Sequence, residues 1–182
     1  DLFGPGEDKT HFRIFDFCGN YSFFKLQPEG LAPPRTASLS QRLFEATVLL
    51  SEQLREPDHR SAYDQQLRVA LLDRAHAWVA RLWDLRNTML VRPAKRLLDT
   101  YRERGAWDAL SKSAISELFM HVAHLVEVPD PDELAKRFDL LLVNLQLAVA
   151  QKGPQEARLF GQLAGIAQQL ARMANIPAVQ AR

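Results

Sequence analysis

His121 and His124 stand three positions apart, the spacing that sets two imidazoles on nearly one face of a helix, where they could share a transition-metal ion. Such a site needs three or four protein ligands, and His59 and His76 cannot be set beside the pair by sequence, so packing or surface roles are expected and no metal site is assigned. Asp16 lies inside an apolar run, where burial would cost several kcal/mol unless it were paired; a turn or ion-pair role is favoured over a catalytic one. Cys18 would need a histidine base to act as a nucleophile, and His11, seven positions along an extended segment, is too far, so a small buried hydrophobe is expected. The remaining signal is charge. Nine basic residues between Arg68 and Arg104 face four acids, a local balance of +5 in a chain whose overall charge is +1. Arg86, Arg92, Lys95 and Arg96 are the expected contacts if the partner is DNA, since such a stretch can neutralise phosphates. A solvated helix face is the simpler alternative, and an acidic protein partner is a third. Residues 127–139 reverse the sign, with five acids against Lys136 and Arg137.

No phosphate-binding loop, nucleophile elbow or paired zinc-ligand motif occurs in the sequence, so no catalytic residue is assigned. A single cysteine excludes an internal disulfide and a cysteine-based zinc finger, and fits a reducing compartment. No apolar run approaches the roughly 18 residues of a membrane span, and the first residues lack the basic and apolar parts of a signal peptide. A cytoplasmic protein with no membrane partner is expected. The chain lacks an initiator methionine and is expected to be a trimmed piece of something larger.

The elements that must position these residues change character along the chain. Residues 1–10 are polar and glycine-rich; His11–Cys18 is aromatic and β-branched and predicts a strand, closed by Gly19-Asn20. Phe23, Phe24 and Leu26 extend the apolar character, so a hairpin is also possible, and self-association through residues 11–26 is expected because a lone strand leaves its backbone groups unpaired. Residues 27–37, with Pro28, Gly30, Pro33 and Pro34, read as a linker. From Ser38 the apolar period becomes helical, to about Ala174 where Asn175 and Pro177 end it, and residues 38–182 read as one helical domain. Leu39, Leu43, Phe44, Thr47, Leu50 and Leu54 share the first helix, ended by Pro57; a second runs from about Ser61 to Arg86, with a seam of Leu71, Ala75, Trp78, Leu82 and Leu85. A third opens at Pro93 and reaches Gly105, and a fourth, capped by Ser111 or Ser113, turns Ile115, Leu118, Phe119, Val122 and Leu125 inward. A fifth starts at Asp130-Pro131 with Leu134, Phe138, Leu141, Leu142 and Leu145 buried, and stops at Gly153-Pro154. A sixth uses Leu159, Phe160, Leu163, Ile166, Leu170 and Met173. The fold class expected is mainly α, a multi-helix domain behind one strand or hairpin.

Several stretches are similar to a known family. The opening Asp1-Leu2-Phe3-Gly4-Pro5-Gly6 through His11–Asn20, then Ala106-Trp107-Asp108-Ala109-Leu110, then Ala135–Leu142 continuing through Leu145-Gln146-Leu147-Ala148, and Ala174-Asn175-Ile176-Pro177-Ala178-Val179 together resemble the R subunits of type I restriction endonucleases. The order and approximate spacing agree over nearly the whole chain, although none of these stretches is a catalytic signature. Cys18 departs from the pattern, where an aliphatic residue is commoner, and residues 27–37 align with nothing.

The resemblance implies a carboxy-terminal fragment of a superfamily 2, ATP-driven DNA translocase. Residues 1–26 would be the last strand of the second RecA-like motor domain, and residues 38–182 the helical region that joins the motor to the modification methyltransferase and specificity subunits. ATP and Mg2+ would belong to the parent, with its helicase motifs and nuclease carboxylates upstream. No cofactor and no catalytic role carries over to this fragment, and DNA would be met through the parent complex. A stand-alone helical interaction module unrelated to DNA is the competing reading, and a small metallohydrolase around His121 and His124 a distant third.

Overall fold

A computed structural model describes residues 37–173; these are mainly α-helical, with six α-helices, three 3-10 turns and no strand among them. The strand or hairpin expected within 11–26, all but the last residue of the linker, and the stretch 174–182 lie outside the described residues.

Helix α1, Leu39–Gln53, starts where the Ser38 hydroxyl accepts the Gln41 amide at 3.0 Å, satisfying one of the orphan donors of a helix start. Its inner face buries Leu43, Phe44, Val48 and Leu50, and with them two hydroxyls, Thr47 and Ser51. Each donates back to its own helix, Thr47 to the Leu43 carbonyl and Ser51 to the Val48 carbonyl, both at 2.7 Å, so neither is left unpaired in the interior.

Helix α2, Ala62–Asp84, is capped by Ser61 and buries Leu71, Leu72, Ala75, Trp78, Val79 and Leu82, the expected stripe read one residue wider. Leu85, expected to extend the seam, is the C-cap residue and half exposed. The seam is used within this chain, against α1.

The third expected helix is broken. A 3-10 turn at Arg92–Ala94 with Pro93 in its first turn leads into α3, Lys95–Thr100, and a second 3-10 turn spans Arg104–Trp107. Gly105 falls inside that second turn, which exists to deliver Trp107. The indole is fully buried, edge-on to Phe44, Tyr101 and His76, and its Nε1 donates to the Tyr101 carbonyl at 3.0 Å. An indole can be buried at low cost only with such a partner for its N–H.

Helix α4, Lys112–His121, takes Ser111 as its cap. It ends earlier than the periodicity suggests, and Val122 and Leu125 reach the core through a 3-10 turn, Ala123–Leu125, while Ile115 and Phe119 are only partly buried.

Helix α5, Glu133–Ala150, begins two residues later than expected, because the Asp132 carboxylate rather than Asp130 accepts the Leu134 and Ala135 amides. Its residues facing α1 and the core are Leu140 and Val143, and it packs more extensively on α1 than on any other helix. Its end carries the 148–153 and 149–152 amide–carbonyl pairs of a Schellman motif, with Gly153 N–H bonding the Ala148 carbonyl at 2.8 Å. The left-handed position in that motif falls on Lys152, φ 52°, one residue before the glycine that the sequence offers.

Helix α6, Glu156–Met173, folds back on α5 as a hairpin.

Candidate functional site

Two surfaces bring chemically capable side chains together. The first is the basic stretch, and the fold divides it. Arg68, Arg74 and Arg104 work as struts. Arg68 donates to the carbonyls of Ser51 (3.2 Å) and Asp108 (2.6 Å) beside Glu52, joining α1, α2 and the Trp107 turn. Arg74 pairs with Asp139 across to α5 and lies over the Trp78 ring. Arg104 is bound to Asp73 and Asp108; burial pulls its pKa down, but those hydrogen bonds outweigh it and leave the pKa raised.

Among the four expected DNA contacts, Arg86 stacks on the Trp83 ring at 3.4 Å and donates to the Trp83 carbonyl at 2.7 Å. Arg102 sits 3.9 Å from the centroid of the same ring. Two guanidinium carbons at those distances would collide on one face, so the indole is clamped between them, with its N–H held by Asp99 at 3.2 Å. Arg96 meets Glu117 at 3.7 Å on an open surface. Arg92 and Lys95 are exposed and meet no acid among the described residues. No local pattern signals this sorting, because it depends on which acids other helices bring near.

The histidine pair does not lie within one α-helix. His121 is the last residue of α4 and His124 lies in the 3-10 turn after it, so the helical spacing that would align them is interrupted. His59 bonds the Ala150 carbonyl and His76 the Arg102 carbonyl. No group of three or more metal-capable side chains occurs among the described residues. Asp16 and Cys18 lie outside them.

The second surface was not anticipated. Leu134, Phe138, Leu141, Leu142 and Leu145 were expected to be buried, yet only Leu145 is, and Leu134 remains 73% exposed. Among the described side chains of α6 only Leu159 is buried, while Phe160 and Leu170 are largely exposed. The cause is that the α5–α6 hairpin closes only near its loop, where Leu145, Ala148 and Leu159 pack together. Farther along it opens into a cleft of about 950 Å³ lined by Leu134, Phe138, Leu141, Ile166 and Leu170, with Gly161 and Gly165 on the α6 wall. This runs on, past shared Arg137, Leu141 and Gln162, into a polar cleft of about 820 Å³ bordered by Arg42 of α1 and Arg158 of α6. A large apolar patch of this kind marks an interaction site more often than a bare surface.

Among the described residues no helix is long and apolar enough to cross a membrane. Comparison with known protein families, with curated proteins and with solved structures finds no match.

Proposed function

We propose that this chain is a non-catalytic, carboxy-terminal helical region of a type I restriction enzyme R subunit, coupling its DNA motor to the modification methyltransferase and specificity subunits. The observation that carries the coupling role is the uneven α5: one side is sealed into the core through Leu140 and Val143, the other leaves Leu134 and Phe138 in the open cleft. A helix anchored on one side and apolar on the other is suited to hold a second protein. The restriction parent rests on the sequence resemblance, whose stretch 135–148 lies along this helix. In this reading ATP and Mg2+ serve the parent, the protein works in the cytoplasm, and contact with DNA falls chiefly on Arg92 and Lys95, with Arg86 and Arg96 already engaged. The cleft equally favours the second reading, a helical interaction module unrelated to DNA.

Co-elution of the purified chain with the methyltransferase–specificity complex of the same organism, and helicase motifs in the reading frame immediately before Asp1, are the expected results. A reading frame without those motifs overturns the restriction parent. Magnesium-dependent ATP turnover by the isolated chain would overturn the non-catalytic assignment. Any DNA binding should weaken steeply with salt and be lost on replacing Arg92 and Lys95 by glutamate.

A further inference from the structure

We propose that the α5–α6 cleft is a docking groove for an acidic amphipathic helix of a partner protein. This rests on the reading of the chain as a coupling module and adds the site and the chemistry of its occupant. Leu134, Phe138 and Leu141 recur at four- and three-residue steps on α5, and Ile166 and Leu170 at a four-residue step on α6. From Leu134 to Asn144 the wall is about 15 Å long at 1.5 Å per residue, roughly three turns, the reach of a helix presenting its own apolar residues at that period. A Cβ at Gly161 or Gly165 would meet nothing within 4 Å, so the α6 wall lets another backbone approach closely.

Apolar walls alone do not choose an occupant; the charges beside them do. Arg42, Arg137 and Arg158 come from three different helices and border the polar end. Glu133 pairs with Arg137 at 3.5 Å and Asp132 caps α5 through the Leu134 and Ala135 amides, which leaves Arg42 and Arg158 as the cations of this border with no carboxylate partner among the described residues. A helix with carboxylates flanking its apolar stripe matches this lining, and one flanked by lysine is repelled by it. A second copy of this chain matches poorly, because a two-fold contact would bring both copies' arginines into one interface.

The test uses the complete 182-residue chain and synthetic helical peptides sharing one leucine pattern, flanked either by glutamate or by lysine, with a leucine-free glutamate peptide as control. Fluorescence anisotropy should show the glutamate–leucine peptide binding on the order of tenfold or more tighter than the other two. Amide NMR shifts should centre on Phe138, Leu141, Gln162 and Leu170, and the double variant Arg137→Glu/Arg158→Glu should reverse the charge preference. Gly165→Leu favours the helix and fills the open space, so it should remove binding while the thermal melt holds or rises. No saturable binding, equal binding of all three peptides, shifts centred elsewhere, or binding untouched by Gly165→Leu overturns the proposal. Peptide binding here without co-elution of the methyltransferase complex would discard that partner and keep the groove. Co-elution without peptide binding would keep the coupling role and discard the groove.

Discussion

Around Trp107 the chain excludes water from every face of the indole, whereas along the far end of the α5–α6 hairpin leucines of similar spacing stand in solvent. Both regions carry the same apolar period. The first is enclosed from several directions, with Phe44 on α1, His76 on α2 and Tyr101 after α3 each set at a steep angle to the indole. Among the described residues the second is lined by two helices, with nothing on the third side. Periodicity therefore marks a face capable of burial, and the number of neighbours decides whether burial occurs.

The sharpest way to break this comparison is to truncate one large apolar side chain in each region. Trp107→Ala should cost about 3–5 kcal/mol in urea unfolding, since it empties the centre of the core and leaves the Tyr101 carbonyl without its donor. Leu170→Ala, on a largely exposed side chain of the open cleft, should fall within about 0.5 kcal/mol of the parent. Similar losses would mean that α6 is as tightly held as the Trp107 cluster.

A smaller effect tests the polar struts of the enclosed region. Arg68→Met keeps the side chain's bulk but leaves the Ser51 and Asp108 carbonyls without their donor, and should cost about 1–3 kcal/mol. A loss below that range would show that water takes over both carbonyls.

In the hairpin, two substitutions should stabilise. Lys152→Gly relieves a left-handed residue at the end of α5, and Gly165→Ala adds a methyl in open space within α6; each is expected to gain about 1 kcal/mol, read as a raised melting temperature. No gain from Gly165→Ala would mean that α6 frays at that position.

The smallest change is one of slope. Burial raises the pKa of Glu52, against the opposing pull of Arg55 and Arg68, and its Oε1 is enclosed without a hydrogen-bond partner. The folded protein thus holds this proton more tightly than the unfolded chain. The resulting stability is full below the unfolded value and fades as pH rises through the folded one. Glu52→Gln, neutral throughout, should flatten stability against pH above the ordinary glutamate range and leave stability at neutral pH equal or higher. A loss at neutral pH with the slope unchanged would show that the ion pairs with Arg55 and Arg68 dominate.

Much of the helix plan was legible because its signals are local. Ser38, Ser61 and Ser111 cap helices where their hydroxyls can reach an amide within three residues, and Pro57, Pro93 and Gly153-Pro154 mark breaks through their own backbone limits. The third helix misled because its apolar spacing at Leu97 and Tyr101 is consistent with either one helix to Gly105 or a helix followed by a 3-10 turn, and only the place prepared for the indole of Trp107 selects the second.

The sequence by itself determined a mainly α-helical chain, its helix starts and most of the residues fit for a core, because capping and periodicity act over a few residues. Tertiary structure alone decided which arginines became struts, which indole was clamped, and that Leu134, Phe138 and Leu170 would face an open cleft. Those outcomes depend on acids, carbonyls and helix faces brought together from distant parts of the chain, and no local pattern encodes how many neighbours a given face will meet.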